Sequence, residues 1–255
     1  MFSLNAVSYS VPEKTILHPV SLTIPAGRIT TLLGHNGSGK STLIKLLSRN
    51  ILPSSGDIQL AGMPLSAFSS RDYSRRVAYL PQDPPITDSI TVYELVRLGR
   101  YPWKGALGRY DEHDDDIIAQ AMNAVGVSTL ADRFVSTLSG GERQRVWVAM
   151  LLAQQSECLL LDEPTSALDV AHQYELLSLI RKLNRERNLT VVMVLHDINL
   201  AARYSDTLVA LHSGKIMAQG DAQSLMSQPI LEAIYDIPLG FFPHPENGQP
   251  IAYVR

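Results

Sequence analysis

The chain has 255 residues, 45% of them hydrophobic, with 22 basic against 25 acidic side chains and a formal charge of −3. That length and composition suit one large globular domain, or two small ones, able to bury a real core. The near-neutral charge argues against general nucleic-acid binding, and no apolar run reaches the ~20 residues that span a membrane.

Residues 2–11 and 15–24 read as strands around a turn at Pro12-Glu13-Lys14, and Pro25-Ala26-Gly27 is a second turn. Residues 29–33 form an apolar strand, followed by a glycine-rich stretch and then helical apolar spacing at 43–47. Short strands are predicted at 57–61 and 76–80, around a helical piece near 70–75. The pattern from 92 to 153 is mainly helical. Strands return at Cys158–Leu161, 191–195 and 207–211, separated by helices at 170–187 and 198–204. This alternation predicts a parallel or mixed sheet with covering helices, an α/β fold preceded by antiparallel strands and interrupted by a helical insert. A single domain over 1–255 is expected, with a core of 1–90 and 155–220, an insert over 91–154, and a helix and tail over 221–255. The tail after Pro238 is rich in Pro and Gly and gives no readable element. Cys158 cannot close an internal disulfide, which fits a reducing compartment and a core position. The start, Met-Phe-Ser-Leu-Asn-Ala, shows no signal-like core, so any link to a membrane is expected to run through a partner.

Gly34-His35-Asn36-Gly37-Ser38-Gly39-Lys40-Ser41-Thr42 is a complete phosphate-binding loop placed between a strand and a helix. Its glycines let the backbone come close to phosphates, and its N–H groups form an anion nest. Lys40 supplies a cation for the β- and γ-phosphates of a nucleoside triphosphate, and the Ser41 hydroxyl suits Mg²⁺. The apolar strand Cys158–Leu161 ends in Asp162-Glu163. Asp162 is expected to hold the metal, and Glu163 to act as general base on the attacking water. His196 follows another strand and is placed to contact the γ-phosphate. Gln82 follows the strand at 76–80. Ser139-Gly140-Gly141-Glu142 opens a helix with a good N-cap, and its two glycines bare a second set of N–H groups. Two anion sites in one chain can serve two ligands, or one ligand shared between two chains. The run Asp111-Glu112-His113-Asp114-Asp115-Asp116 reads as a solvated helix start rather than a metal site. Tyr101 and Trp103 suit either partner contacts or local packing, and His18, His212 and His244 show no ligand spacing.

Taken in order, residues 34–42, Gln82, 138–144, 159–163, Ser166-Ala167-Leu168-Asp169 and His196 resemble the ATPase subunits of ABC transporters over essentially the whole chain. They match that family's Walker A, Q-loop, signature, Walker B, D-loop and H-loop motifs. The resemblance implies ATP and Mg²⁺ as ligands, with Ser41, Gln82 and Asp162 at the metal and Tyr9 stacked on the adenine. It also implies a head-to-tail homodimer in which Ser139, Gly140, Gly141 and Glu142 of one copy complete the ATP site of the other. The segments Gly99-Arg100-Tyr101-Pro102-Trp103 and Gly105-Ala106-Leu107-Gly108-Arg109-Tyr110 resemble the ferric hydroxamate subgroup of importers. So do residues 194–199 and Phe242-Pro243-His244-Pro245. That likeness implies transmembrane permease partners, an indirect siderophore-binding protein, and a peripheral position on the cytoplasmic face of a bacterial inner membrane. Cobalamin or another iron chelate is the alternative cargo, and a soluble ABC ATPase of DNA repair or translation is the rival class. The latter carries long coiled-coil insertions or paired domains, neither of which is found here.

Overall fold

The computed structural model describes the chain except for residues 86–88, 107 and 246–247. It opens with strands β1 (Phe2–Val11) and β2 (Lys14–Ile24), then β3 (Ile29–Leu33), α1 (Lys40–Leu47), β4 (Ser55–Leu60), β5 (Met63–Pro64), α2 (Ser70–Arg76) and β6 (Val77–Leu80). Four helices follow without a strand between them: α3 (Val92–Leu98), α4 (Tyr101–Lys104), α5 (Glu112–Ala124) and α6 (Gly140–Ala153). The chain then returns through β7 (Cys158–Leu161), α7 (Val170–Arg187), β8 (Thr190–Val194), α8 (Ile198–Tyr204), β9 (Thr207–His212) and β10 (Lys215–Gly220). It ends with α9 (Ala222–Leu225), α10 (Gln228–Tyr235), β11 (Leu239–Pro243) and β12 (Pro250–Val254).

Two sheets and a hairpin result. An antiparallel sheet has the order β2-β1-β4-β5. The central sheet has the order β10-β9-β3-β8-β7-β6, parallel except for β10. Its middle strands β3, β8 and β7 are buried throughout because both faces are covered, and they are apolar apart from Thr30, Thr31 and Thr190. Alternate residues sort to opposite sides. Leu159, Leu161, Val191 and Met193 join one core with the helical insert, α7 and α8. Cys158, Leu160, Val192 and Val194 join the other, with α1 and the antiparallel sheet. Cys158 is fully buried there, as its apolar setting predicts.

Three insert helices begin with reciprocal capping boxes, Thr91 with Glu94, Asp111 with Asp114, and Ser139 with Glu142. The acidic run at 111–116 is therefore a helix start, but it is not wholly solvated. Asp114 is completely buried, with Arg100 Nε at 3.0 Å and Lys104 Nζ at 2.6 Å. Burial alone would raise the Asp114 pKa. The bonds from Lys104, the Asp111 backbone and Arg100 override it and hold the carboxyl well below its usual range. Trp103 packs locally, its Nε1 donating to Gln154 O at 2.7 Å. Tyr101 stays exposed. Of the sequence 105–110, Leu107 lies outside the described residues.

Two further differences concern elements. Residues 221–236 form two helices rather than one, and the tail folds into the β11–β12 hairpin, in register from Leu239 opposite Val254 to Pro243 opposite Pro250. Strand β10 was also absent from the sequence pattern. It is an edge strand with alternating exposure, so its apolar signal is weak.

Candidate functional site

The site is built where β3 ends and the chain turns into α1. Gly34, Gly37 and Gly39 take φ values of 140°, 79° and 101°. At Gly34 the demand is absolute, since a Cβ would lie 2.0 Å from the Leu211 carbonyl oxygen. Gly39 is the left-handed N-cap of α1 and supplies no side-chain cap, so the first-turn N–H groups face the loop's interior. His35 is half-buried, Asn36 is exposed and Ser38 is buried. Lys40 is 4% exposed and folds back over the loop, donating to Gly34 O at 2.8 Å and His35 O at 2.9 Å. Burial lowers its pKa, while the charges of Glu163 and Asp162 oppose that shift. Thr42 lies in the first turn of the helix.

Parallel pairing of β3, β8 and β7 brings the ends of those strands to this loop. The Ser41 hydroxyl donates to Asp162 Oδ1 at 3.1 Å. Burial raises the Asp162 pKa; the Ser41 bond opposes this, and the neighbouring Glu163 charge adds to it. Glu163 follows with a positive φ of 50°, a strained conformation that re-aims its side chain. Its carboxylate is held on both sides. Gln82 Nε2 donates to Oε2 at 2.8 Å, and His196 Nε2 lies 2.8 Å from Oε1. The structure thus brings Lys40, Ser41, Gln82, Asp162, Glu163 and His196 together, with Gln82 bonded to Glu163 rather than to the Ser41–Asp162 pair. Tyr9 is half-buried on β1, opposite Leu17 in register. Leu17 in turn lies against Gly39, its Cδ1 3.3 Å from where a Cβ there would stand.

Ser139 and Gly140 lie open at the start of α6, and Gly140 lines a cleft shared with Gln82 and Glu163. Glu142 serves as the reciprocal cap, its Oε2 accepting from Ser139 N at 2.9 Å and from Ser139 Oγ at 2.8 Å. Gly141 differs from the sequence reading. It is buried, and a Cβ would meet the His172 ring at 2.5 Å. His172 Nδ1 is bonded to Asp169 Oδ1 at 2.8 Å, and Asp169 also N-caps α7. The Asp-x-x-His spacing, a helix N-cap followed by a residue at its third position, was the available signal for this pair. Nothing in the sequence pointed to His212, whose ring packs edge-on to His35 with centroids 4.7 Å apart.

A phosphate loop, a hydroxyl–carboxylate oxygen pair and a clamped strand-end glutamate define a nucleotide-hydrolysing cassette. A family model for ABC transporters matches residues 17–166. The iron(3+)-hydroxamate import ATP-binding protein FhuC of Bacillus subtilis (strain 168) is 41% identical over 239 residues, covering 94% of this chain and 89% of that protein. The ferric enterobactin transport ATP-binding protein FepC of Escherichia coli (strain K12) is 42% identical over 237 residues, covering 93% and 88%. Among solved structures, a transporter described as of metal-chelate type in an inward-facing conformation aligns with a TM-score of 0.87 at 26% identity, over 100% of this chain and 97% of that one. The dimeric bacterial cassette MJ0796 aligns with a TM-score of 0.76 at 27% identity, over 87% and 99%. The chain belongs to the ABC transporter family and is one of its ATP-hydrolysing subunits.

Proposed function

We propose that this subunit powers a bacterial importer of iron(III)-hydroxamate siderophores, with Glu163 as the general base of ATP hydrolysis. The observation that carries the catalytic part is the Glu163 carboxylate, clamped between Gln82 and His196 at the mouth of the phosphate loop. ATP lies with its phosphates in the nest of residues 34–42 and its adenine against Tyr9. Lys40 exchanges the Gly34 and His35 carbonyls for β- and γ-phosphate oxygens. Glu163 takes the proton of the attacking water, and His196 joins Glu163 to the γ-phosphate. The donor set suits Mg²⁺, because Ser41 and Asp162 offer hard oxygens and leave the other positions to phosphate, water and the Gln82 amide. When bound, the ion neutralises charge on the phosphates.

Ser139, Gly140, Gly141 and Glu142 act in trans. Their open helix start supplies N–H donors to the ATP of a second copy, and Glu142 presets Ser139 for that contact. Two copies related by a two-fold axis then share two equivalent sites. The pair works beneath permease subunits on the cytoplasmic face of the inner membrane, which receive cargo from a siderophore-binding protein. No described helix is long and apolar enough to cross a membrane. The choice of a hydroxamate rests on likeness to the Bacillus protein. Likeness to the enterobactin protein, of similar extent, favours a second reading in which the cargo is another iron chelate, ferric enterobactin.

Glu163→Gln tests the catalytic assignment. Loss of a general base lowers turnover by about 10²–10⁴-fold. ATP binding should persist, and ATP should trap a dimer visible by size-exclusion chromatography. Near-normal turnover would remove Glu163 from this role.

A further inference from the structure

The geometry points to the β11–β12 hairpin as a brace for the hydrolytic site, with Asn199 as the positioning residue that ties it to the segment carrying His196. The inference rests on the reading of Glu163 and His196 given above.

The Asn199 side chain bonds the main chain of Ala252 on both sides. Its Nδ2 donates to Ala252 O at 3.0 Å, and its Oδ1 accepts from Ala252 N at 2.9 Å. One side chain thereby completes the outward edge of β12 as a neighbouring strand would. Asn199 sits three residues after His196, in the first turn of α8. That turn is fixed from the other end by Asp197, whose Oδ1 accepts from Asn199 N at 2.7 Å and Leu200 N at 2.9 Å. The hairpin is itself anchored. Leu239 and Ala252 are buried in the core shared with α8, and Leu239 N donates to Glu232 Oε1 at 2.9 Å. Arg255 N closes the hairpin's base on Pro238 O at 3.1 Å.

Apolar packing alone does not join the two parts. A cavity of about 510 Å³ opens between the hairpin and α7–α8, lined by Tyr174, Arg203, Met226 and Gln249, and Asn199 stands on its wall. The amide pair is a polar bridge across that gap. His196 is largely exposed, with its side chain 45% accessible, and its approach to Glu163 at 2.8 Å depends on where the start of α8 is held. Loosening α8 therefore moves His196 away from Glu163 without touching the phosphate loop.

The test uses the full-length chain with Asn199→Ala and Ala252→Pro. The first keeps the Asp197 cap, which uses only the Asn199 backbone. The second removes the Ala252 N–H from the far side of the same bridge. Each should lower kcat roughly 10- to 100-fold, as small misplacements of a site do. The KM for ATP, directly measured ATP affinity and cooperative thermal unfolding should hold. The double variant should lose no more than either alone, because one bridge is being broken twice. Unchanged kcat in Asn199→Ala, or losses that multiply in the double variant, would overturn the brace. Should Ala252→Pro fail to unfold cooperatively, Asn199→Asp replaces it. That variant keeps the acceptor and loses the donor, so its kcat should fall between wild type and Asn199→Ala, and wild-type kcat would count against the brace. His196→Ala separates the two levels of argument. Full turnover in that variant would sink the reading of the site itself. Lost turnover there, beside normal turnover in Asn199→Ala, would sink the brace alone.

Discussion

At the residue scale, the two glycines that open α6 do different work. Gly140 lies open, as its proposed contact with ligand requires, whereas Gly141 admits the His172 ring, held in turn by Asp169. The helix start proposed to meet the second copy's ATP is thus packed against the segment that follows Glu163. Gly141→Ala places a methyl group 2.5 Å from an imidazole fixed by its carboxylate, and overpacking of this kind costs about 1–3 kcal/mol. The variant should unfold at lower temperature and hydrolyse ATP several-fold more slowly, while one chain binds nucleotide normally. A paired Gly141→Ala/His172→Ala chain should recover the lost thermal stability. No recovery would mean that the ring is not what the methyl group meets. The strand–loop–helix of residues 29–47 was legible in the sequence because the loop's glycines and lysine stand at a fixed spacing. His172 and His212 were not, because their value lies in what the fold brings beside them.

At the scale of elements, strands and helices with one buried face were legible to within a few residues. The exceptions share a cause. Strand β10 is half exposed, and the Pro- and Gly-rich tail becomes a hairpin only because Leu239 and Ala252 find a core made by distant elements. Asp114 is a similar case, since the partner that draws it inward, Arg100, stands fourteen residues earlier. Arg100 also donates to Ala153 O and Gln155 Oε1, so one buried cation joins α4, α5 and the end of α6. Breaking such a buried pair costs roughly 3–5 kcal/mol, because the remaining charge is left without its partner. Asp114→Asn should lower stability at neutral pH by about that amount in urea unfolding. The folded pKa lies below the unfolded value of about 3.9. The ionised form therefore stabilises the protein fully above that pH, and the contribution is lost as pH falls toward the folded value. The gap between variant and wild type should accordingly narrow below about pH 4, and a gap that widened there would contradict the assignment.

At the scale of the whole molecule, the chemistry of the phosphate loop carries no information about cargo. In the reading proposed above, choice of cargo belongs to the permease and its binding protein, and this chain contributes only the surface that selects the permease. Residues 99–110 carry the likeness to the hydroxamate subgroup, yet most of their polar groups are spent internally. Arg100 and Lys104 hold Asp114, Trp103 bonds Gln154 O, and the carbonyl oxygens of Pro102 and Trp103 accept from Arg71 on α2. Among the described residues the large apolar side chains left outward at or beside this segment are Leu98 and Tyr101, 52% and 55% exposed, on the bonded joint between insert and core. A rigid apolar pair suits docking, because little side-chain entropy is lost on contact. Deleting the gene should abolish uptake of radiolabelled ferric hydroxamate and growth on hydroxamates as sole iron source, while growth on iron salts survives. Complementation with Leu98→Asp/Tyr101→Asp should fail to restore uptake although the purified variant still hydrolyses ATP, since the charges block docking and leave the site intact. Lost ferric enterobactin uptake beside normal hydroxamate uptake would transfer the cargo to the second reading, and lost cobalamin uptake alone would exclude both. Full uptake through the double variant would place permease selection elsewhere on the chain.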